Sequence, residues 1–341
     1  IADNPLLNGR ITDQTAQTTA QSGNPDCLGT GTGAAGIIAA QPSDTIGFHG
    51  MAPAAQILSD KVTGDDTTAP ATPATLATAI NWAVDHHATV IAMTTITYTD
   101  SAPLRQAVRR AQDGNIVIIA ATGDISQDTL GLTPYPAAYD GVLGVGAIGQ
   151  DGTVTSTSRA SNVALVAPGA DLVTTYPGGG VGTASGTAFA TGYVAGAAAL
   201  VRAYRPQLSS SDLVKRLLAT TTPAPEGTGS AAYGHGIINP YQAVLDDVVA
   251  GNPATLPAAA PNVPSPEEQA RQAAVQASDR LAYLLAAAGA TLAALLIAVV
   301  AFGTRGRQRH WRTGITPTPH DRPEDDLPEP PIDLFADRAR S

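Results

Sequence analysis

The chain has 341 residues and a formal net charge of −10, and its 19 basic residues include only two lysines, Lys61 and Lys215. That length suits one large α/β domain with appendages, and the acidic balance excludes nucleic-acid binding, which needs a basic stripe. A single cysteine, Cys27, excludes an intrachain disulfide framework. It is expected as a buried thiol acting as a small apolar side chain. No spacing of ligating side chains suits a metal, and no cofactor is expected.

Residues 1–250 alternate apolar runs of strand length with helix-period patterns, which predicts an α/β domain whose mainly parallel sheet lies between helical layers. Ile57-Leu58 is strand-like. Leu76, Ala79, Ile80 and Ala83 share one face of a helix over 75–86. A buried strand follows over 88–94, a helix over 104–111 and another strand over 116–121. Two more strands are expected over 142–147 and 163–169. Residues 190–204, dense in Ala and Gly, read as a central helix packed closely on the sheet. Ser209 and Asp212 form a capping pair for a helix ending at Leu218.

The composition then changes. Residues 251–280 comprise a linker rich in Pro and Ala, over 251–264, and a juxtamembrane helix opened by Ser265 and Pro266. Residues 281–303 carry no charge; at 1.5 Å per residue they make a helix of roughly 34 Å, enough to cross a hydrocarbon core of about 30 Å. Arg305, Arg307, Arg309 and Arg312 follow at once, which puts the C-terminus in the cytoplasm and residues 1–250 outside the cell membrane. This topology calls for a signal peptide upstream. Residues 304–341, with clustered prolines and acids, are expected to be disordered.

Four segments carry a family signature. Asp26-Cys27-Leu28-Gly29-Thr30-Gly31-Thr32-Gly33-Ala34-Ala35-Gly36-Ile37-Ile38 resembles the histidine segment of subtilisin-like serine proteases, and Val117–Asp124 resembles the strand end that carries their oxyanion asparagine. Ser185-Gly186-Thr187-Ala188-Phe189-Ala190-Thr191-Gly192 resembles their nucleophile segment, with Gly192 at the usual proline. Ile1-Ala2-Asp3-Asn4-Pro5-Leu6-Leu7 resembles the residues just after their first, aspartate-bearing strand, so a Val-Ile-Asp-Thr-Gly strand is expected upstream of Ile1. Together with the C-terminal span, the set resembles the mycosins, the membrane-anchored subtilases of actinobacterial type VII secretion systems.

The resemblance implies a subtilisin-like three-layer fold and three site positions, and each holds the wrong side chain. Thr30 stands at the histidine position, and a hydroxyl is no general base at neutral pH. Ala188 stands at the serine position. Asp124 stands at the asparagine position, where an ionised carboxylate repels a developing oxyanion. Of the six histidines, none offers a replacement: His49 and His235 fall in loops, His86 and His87 end a helix, and His310 and His320 lie past the span. Ser185 and Thr187 read as turn residues. The sequence thus predicts a catalytically inactive homologue with a scaffold or protein-binding role. Its expected partners are type VII secretion membrane components or a peptide in the vestigial cleft. The competing expectation is an active endopeptidase with a rearranged site.

Overall fold

The computed structural model describes residues 1–17, 26–64, 71–126, 129, 131–227 and 229–246, together with Gly289, Thr291, Leu295 and Val300. The chain divides into two compact units, Ile1–Asn262 and Val263–Ser341. In the second, the four described residues are helical. Among the described residues no helix is long and apolar enough to cross a membrane. The expected linker, span and tail lie outside the described residues apart from those four.

The first unit opens with a 3-10 turn at Pro5–Leu7, capped by the Asn4 side chain, which accepts the Leu6 N–H at 2.9 Å. Then come β1 (Ile11–Ala16), α1 (Thr30–Ala39), β2 (Ile57–Lys61), α2 (Pro73–Asp85), β3 (Val90–Met93), α3 (Ala102–Asp113) and β4 (Val117–Ala121). The remainder is β5 (Leu143–Ile148), β6 (Leu165–Pro168), β7 (Leu172–Thr175), β8 (Val181–Ala184), α4 (Thr187–Tyr204), α5 (Ser210–Ala219) and α6 (Pro240–Leu245).

Strands β3, β4, β5 and β6 form a four-stranded parallel sheet in that order. Its strands are apolar at consecutive positions because both faces are covered. In β4, Val117 and Ile119 pack with Val194, Ala198 and Val201 of α4. Ile118 and Ala120, pointing the other way, pack with Ile80 of α2 and Leu104 of α3. The result is a helix–sheet–helix sandwich with one core on each face.

The single sheet expected from the sequence is divided. β1 and β2 make a separate parallel pair, and β7 and β8 an antiparallel hairpin. β1 was not foreseen because Ile11-Thr12-Asp13-Gln14-Thr15-Ala16 is polar, as a half-exposed strand can be. The helix expected to begin at 190 begins at Thr187, so position 188 lies in its first turn. Ser209 does cap α5, accepting the Asp212 N–H at 3.0 Å.

Candidate functional site

Helix α1 has no side-chain cap at its own N-cap residue, Gly29, which is left-handed at φ 75°. Asp26 supplies the cap from three residues earlier. Its carboxylate accepts the Gly29 N–H at 3.0 Å, the Thr32 N–H at 2.6 Å and the Thr32 hydroxyl at 2.8 Å. The Thr32 oxygen in turn accepts the Ala2 N–H at 2.8 Å, which fastens the start of the chain to the helix. A carboxylate here also meets the positive end of the helix dipole. Thr30, half-buried, is the first residue of α1.

The other side of α1 rests on β7. Thr174 and Thr175 are buried, and their hydroxyls donate to the Gly33 carbonyl at 2.6 Å and the Thr32 carbonyl at 2.7 Å. Cys27 is a correction to the sequence reading. It is exposed, because the turn between the capping Asp26 and Gly29 directs it outward instead of into the core.

Helix α4 begins in the same way, with a glycine at the N-cap (Gly186, φ 136°) and an acid from elsewhere doing the capping. Asp124, three residues past β4, accepts the Thr187 N–H at 3.2 Å and 3.3 Å on its two oxygens and the Thr187 hydroxyl at 3.4 Å. Burial against this helix end raises the Asp124 carboxyl above its ordinary pKa, while the bonds from Thr187 and Thr157 oppose the rise. Burial outweighs these bonds because they are long. The residue as a whole is exposed, so its carboxyl meets the helix end on one side and solvent on the other, which limits the rise.

The two helix starts meet. Ala34 of α1 faces Gly192 of α4, with 3.2 Å from its carbonyl oxygen to the place a Cβ would take, and Ile38 lies against Gly196 one turn further on. Counting back one turn from these pairs sets Thr30 opposite Ala188. A side chain at position 192 would press on the α1 backbone at this contact, so the glycine lets the two helices approach closely. The three positions picked out from the sequence, Thr30, Ala188 and Asp124, therefore gather where α1 and α4 begin.

No catalytic pair forms among the described residues at this place. His49 shares its Nδ1 with the Gly50 carbonyl at 2.8 Å, His235 with the Ala164 carbonyl at 3.1 Å and His86 with the Trp82 carbonyl at 2.8 Å. His87 closes α2 in the left-handed conformation at φ 58°. Of the hydroxyls nearest Ala188, Ser185 accepts the Asp171 N–H at 2.9 Å in the β7–β8 hairpin, and Thr187 is buried against Asp124. Arg159, which sequence reasoning passed over, is buried behind the loop that follows Asp124. It donates to the Thr129 carbonyl at 2.9 Å and the Leu132 carbonyl at 3.1 Å.

A model of the subtilase family matches residues 2–236. The chain belongs to the subtilase family. This subtilase is 36% identical to subtilisin DY of Bacillus licheniformis over 224 residues, covering 64% of the chain and 78% of that protein. Among solved structures it is similar to MycP1 with its N-terminal propeptide removed, at 27% identity and a TM-score of 0.62, covering 70% of this chain and 91% of that one. It is also similar to the MycP3 protease from the type VII (ESX-3) secretion system, at 28% identity and a TM-score of 0.63, covering 72% and 80%. The likeness to mycosins read from the sequence therefore holds, and so does the subtilisin-like α/β fold.

Proposed function

We propose that this mycosin-like subtilase is catalytically inactive and membrane-anchored, and that it binds a protein partner in a type VII secretion membrane complex or a peptide in the vestigial cleft. The observation that carries this reading is the Asp124 carboxylate bound to the N-terminus of α4 beside Ala188. Acyl transfer needs that helix end to receive negative charge as it develops. Here a resident carboxylate already takes the Thr187 N–H, and the neighbouring residue has no nucleophile to present. Thr30 cannot supply the base. The scaffold, by contrast, keeps its close α1–α4 packing, which is what a binding role requires.

A fluorophosphonate serine probe tests the loss of chemistry. The purified protein is expected to remain unlabelled at a probe excess that labels subtilisin DY fully. Stoichiometric labelling, mapped to any residue near α4, overturns the reading in favour of a rearranged endopeptidase.

The acid at α4 also has a pH signature. Because the Asp124 pKa is raised on folding, the folded state holds more protons between the unfolded and folded values, so stability falls as pH rises through that interval. Above it the ionised carboxylate carries its full penalty. Asp124→Asn retains an oxygen for the Thr187 N–H and removes the charge. Its melting temperature relative to the natural chain is expected to be higher near about pH 7 than at acid pH, where Asp124 takes up its own proton, by no more than about 1 °C because the side chain is exposed. Asp60, also raised by burial, is common to both proteins and cancels in the difference. A difference that stays flat with pH contradicts the assignment.

A further inference from the structure

The hairpin on which α1 rests has one open edge. β7 lies against α1, to which Thr174 and Thr175 donate, so its far side is closed. β8 pairs with β7 and, among the described residues, with no other strand. The register sets Thr175 opposite Val181, Thr174 opposite Gly182, Val173 opposite Thr183 and Leu172 opposite Ala184. At the turn the Tyr176 N–H donates to the Gly180 carbonyl. Bonded and non-bonded pairs alternate along an antiparallel ladder. Gly182 and Ala184 therefore bond to β7, while Val181 and Thr183 turn their N–H and C=O groups to the open side. Both are exposed. Val181-Gly182-Thr183-Ala184 holds neither a proline nor a charge, the usual guards of an edge.

Apolar surface surrounds this edge. Val173, Val181 and Thr183 share one face of the hairpin, and both valines are exposed. Tyr176 at the turn is exposed as well, and Pro177 rests on Gly29 beside the exposed Leu28. The turn is held in place by Asn4, whose amide donates to the Tyr176 and Gly180 carbonyls at 2.9 Å each. The edge is thus preformed.

Its ends are acidic. Exposed Asp3 adjoins the Asn4 that grips the turn, and exposed Asp171 donates its N–H to the Ser185 hydroxyl at 2.9 Å, just past Ala184. A second copy is therefore a poor occupant. Pairing β8 with β8 about a two-fold axis sets the Asp3 end of one chain against the Asp171 end of the other, in a protein of net charge −10. A strand that is apolar at alternate positions and basic at both ends suits the face and the ends together.

We propose that the open edge of β8 docks an extended segment of a partner protein, apolar at alternate positions and basic at its ends, which joins the hairpin as a third strand. The contact lies beside the vestigial cleft, because β8 ends at Ala184, before the turn into α4. The proposal rests on the reading that this subtilase acts by binding a protein, and not on the loss of catalysis.

The test uses the chain as it stands with the acetylated and amidated peptide Lys-Thr-Val-Thr-Val-Thr-Lys, binding being followed by fluorescence anisotropy and amide exchange. The peptide is expected to bind and, at saturation, to slow exchange over 181–184 by at least about tenfold. Thr183→Pro removes an edge N–H that β7 does not use, and Gly182 before it leaves space for the ring. That variant is expected to melt within about 2 °C of the natural chain and to bind at least about tenfold more weakly. N-methylation of the two peptide valines, whose N–H groups face β8, abolishes binding, whereas N-methylation of the central threonine does not. This arm needs no variant of the protein. Glu in place of each Lys weakens binding severalfold. Failure of the peptide to bind overturns the proposal, as does a folded Thr183→Pro protein that binds like the natural chain, or indifference to N-methylation of the valines. Protection over 187–190 in place of 181–184 overturns it in favour of a peptide in the vestigial cleft, and leaves the protein-binding reading standing. A natural chain that sediments as a dimer, and as a monomer with Thr183→Pro, gives the edge to a second copy and overturns it too.

Discussion

Restoring a serine alone, by Ala188→Ser, is expected to leave the protein without measurable hydrolysis of a chromogenic peptide. Position 188 lies in the first turn of α4, so the new hydroxyl stands at the right helix end, opposite Thr30 on α1. Nothing there takes its proton, and the Asp124 carboxylate beside it opposes the charge of a tetrahedral intermediate. Magnitudes come from subtilisin, a member of this family. Loss of the serine or the histidine there costs about 2 × 10⁶ in kcat, the two act as a unit, and loss of the aspartate alone costs about 3 × 10⁴. A serine without its histidine therefore recovers nothing. The triple variant Ala188→Ser, Thr30→His, Asp124→Asn rebuilds nucleophile, base and oxyanion donor. It is expected to exceed the single variant by at least roughly 10². Hydrolysis by Ala188→Ser alone at the level of the triple variant would falsify the account of Thr30 and Asp124.

Much of this was legible in the sequence, and the limits have physical causes. The stretches of small residues at 31–38 and 186–196 announced two helices that approach closely, and the contacts of Ala34 with Gly192 and Ile38 with Gly196 show why they are small. β3 to β6 were visible because burial on both faces makes them continuously apolar. β1 escaped because its residues are polar, and the β7–β8 hairpin because its signal, two short runs around Pro177-Gly178-Gly179-Gly180, was overshadowed by the segment that follows. The capping roles of Asp26 and Asp124 are tertiary. Neither is the residue next to its helix, and Asp124 lies 63 positions before Thr187. Asp124 could be read from the sequence only as the loss of an oxyanion donor. The structure adds that the same carboxylate caps the helix end it disables. The split of the parallel sheet was also beyond sequence reasoning, since strand order depends on which edges meet and not on how apolar each strand is.

Gly36→Ala is expected to lower the stability of the subtilase domain by about 3 kcal/mol, or roughly 6–12 °C in melting temperature for a domain of this size. On helix propensity alone the change is favourable by about 1 kcal/mol, because Gly36 sits inside α1. Packing reverses the sign. A Cβ at this position comes within 2.7 Å of the Thr174 hydroxyl and 2.9 Å of the Thr175 backbone nitrogen, and closer still to the Thr175 hydroxyl. A rotamer change can move a hydroxyl, but the backbone nitrogen belongs to β7 and moves only with its strand. Moving the two threonines also takes their buried hydroxyls from the Gly33 and Thr32 carbonyls they donate to. If this is the cause, Thr175→Ala made together with Gly36→Ala costs less than the two changes added, because the nearest obstacle has gone while the backbone contact remains. A Gly36→Ala protein that melts at or above the natural chain refutes the packing argument, and with it the claim that β7 holds α1, and therefore Thr30, in place.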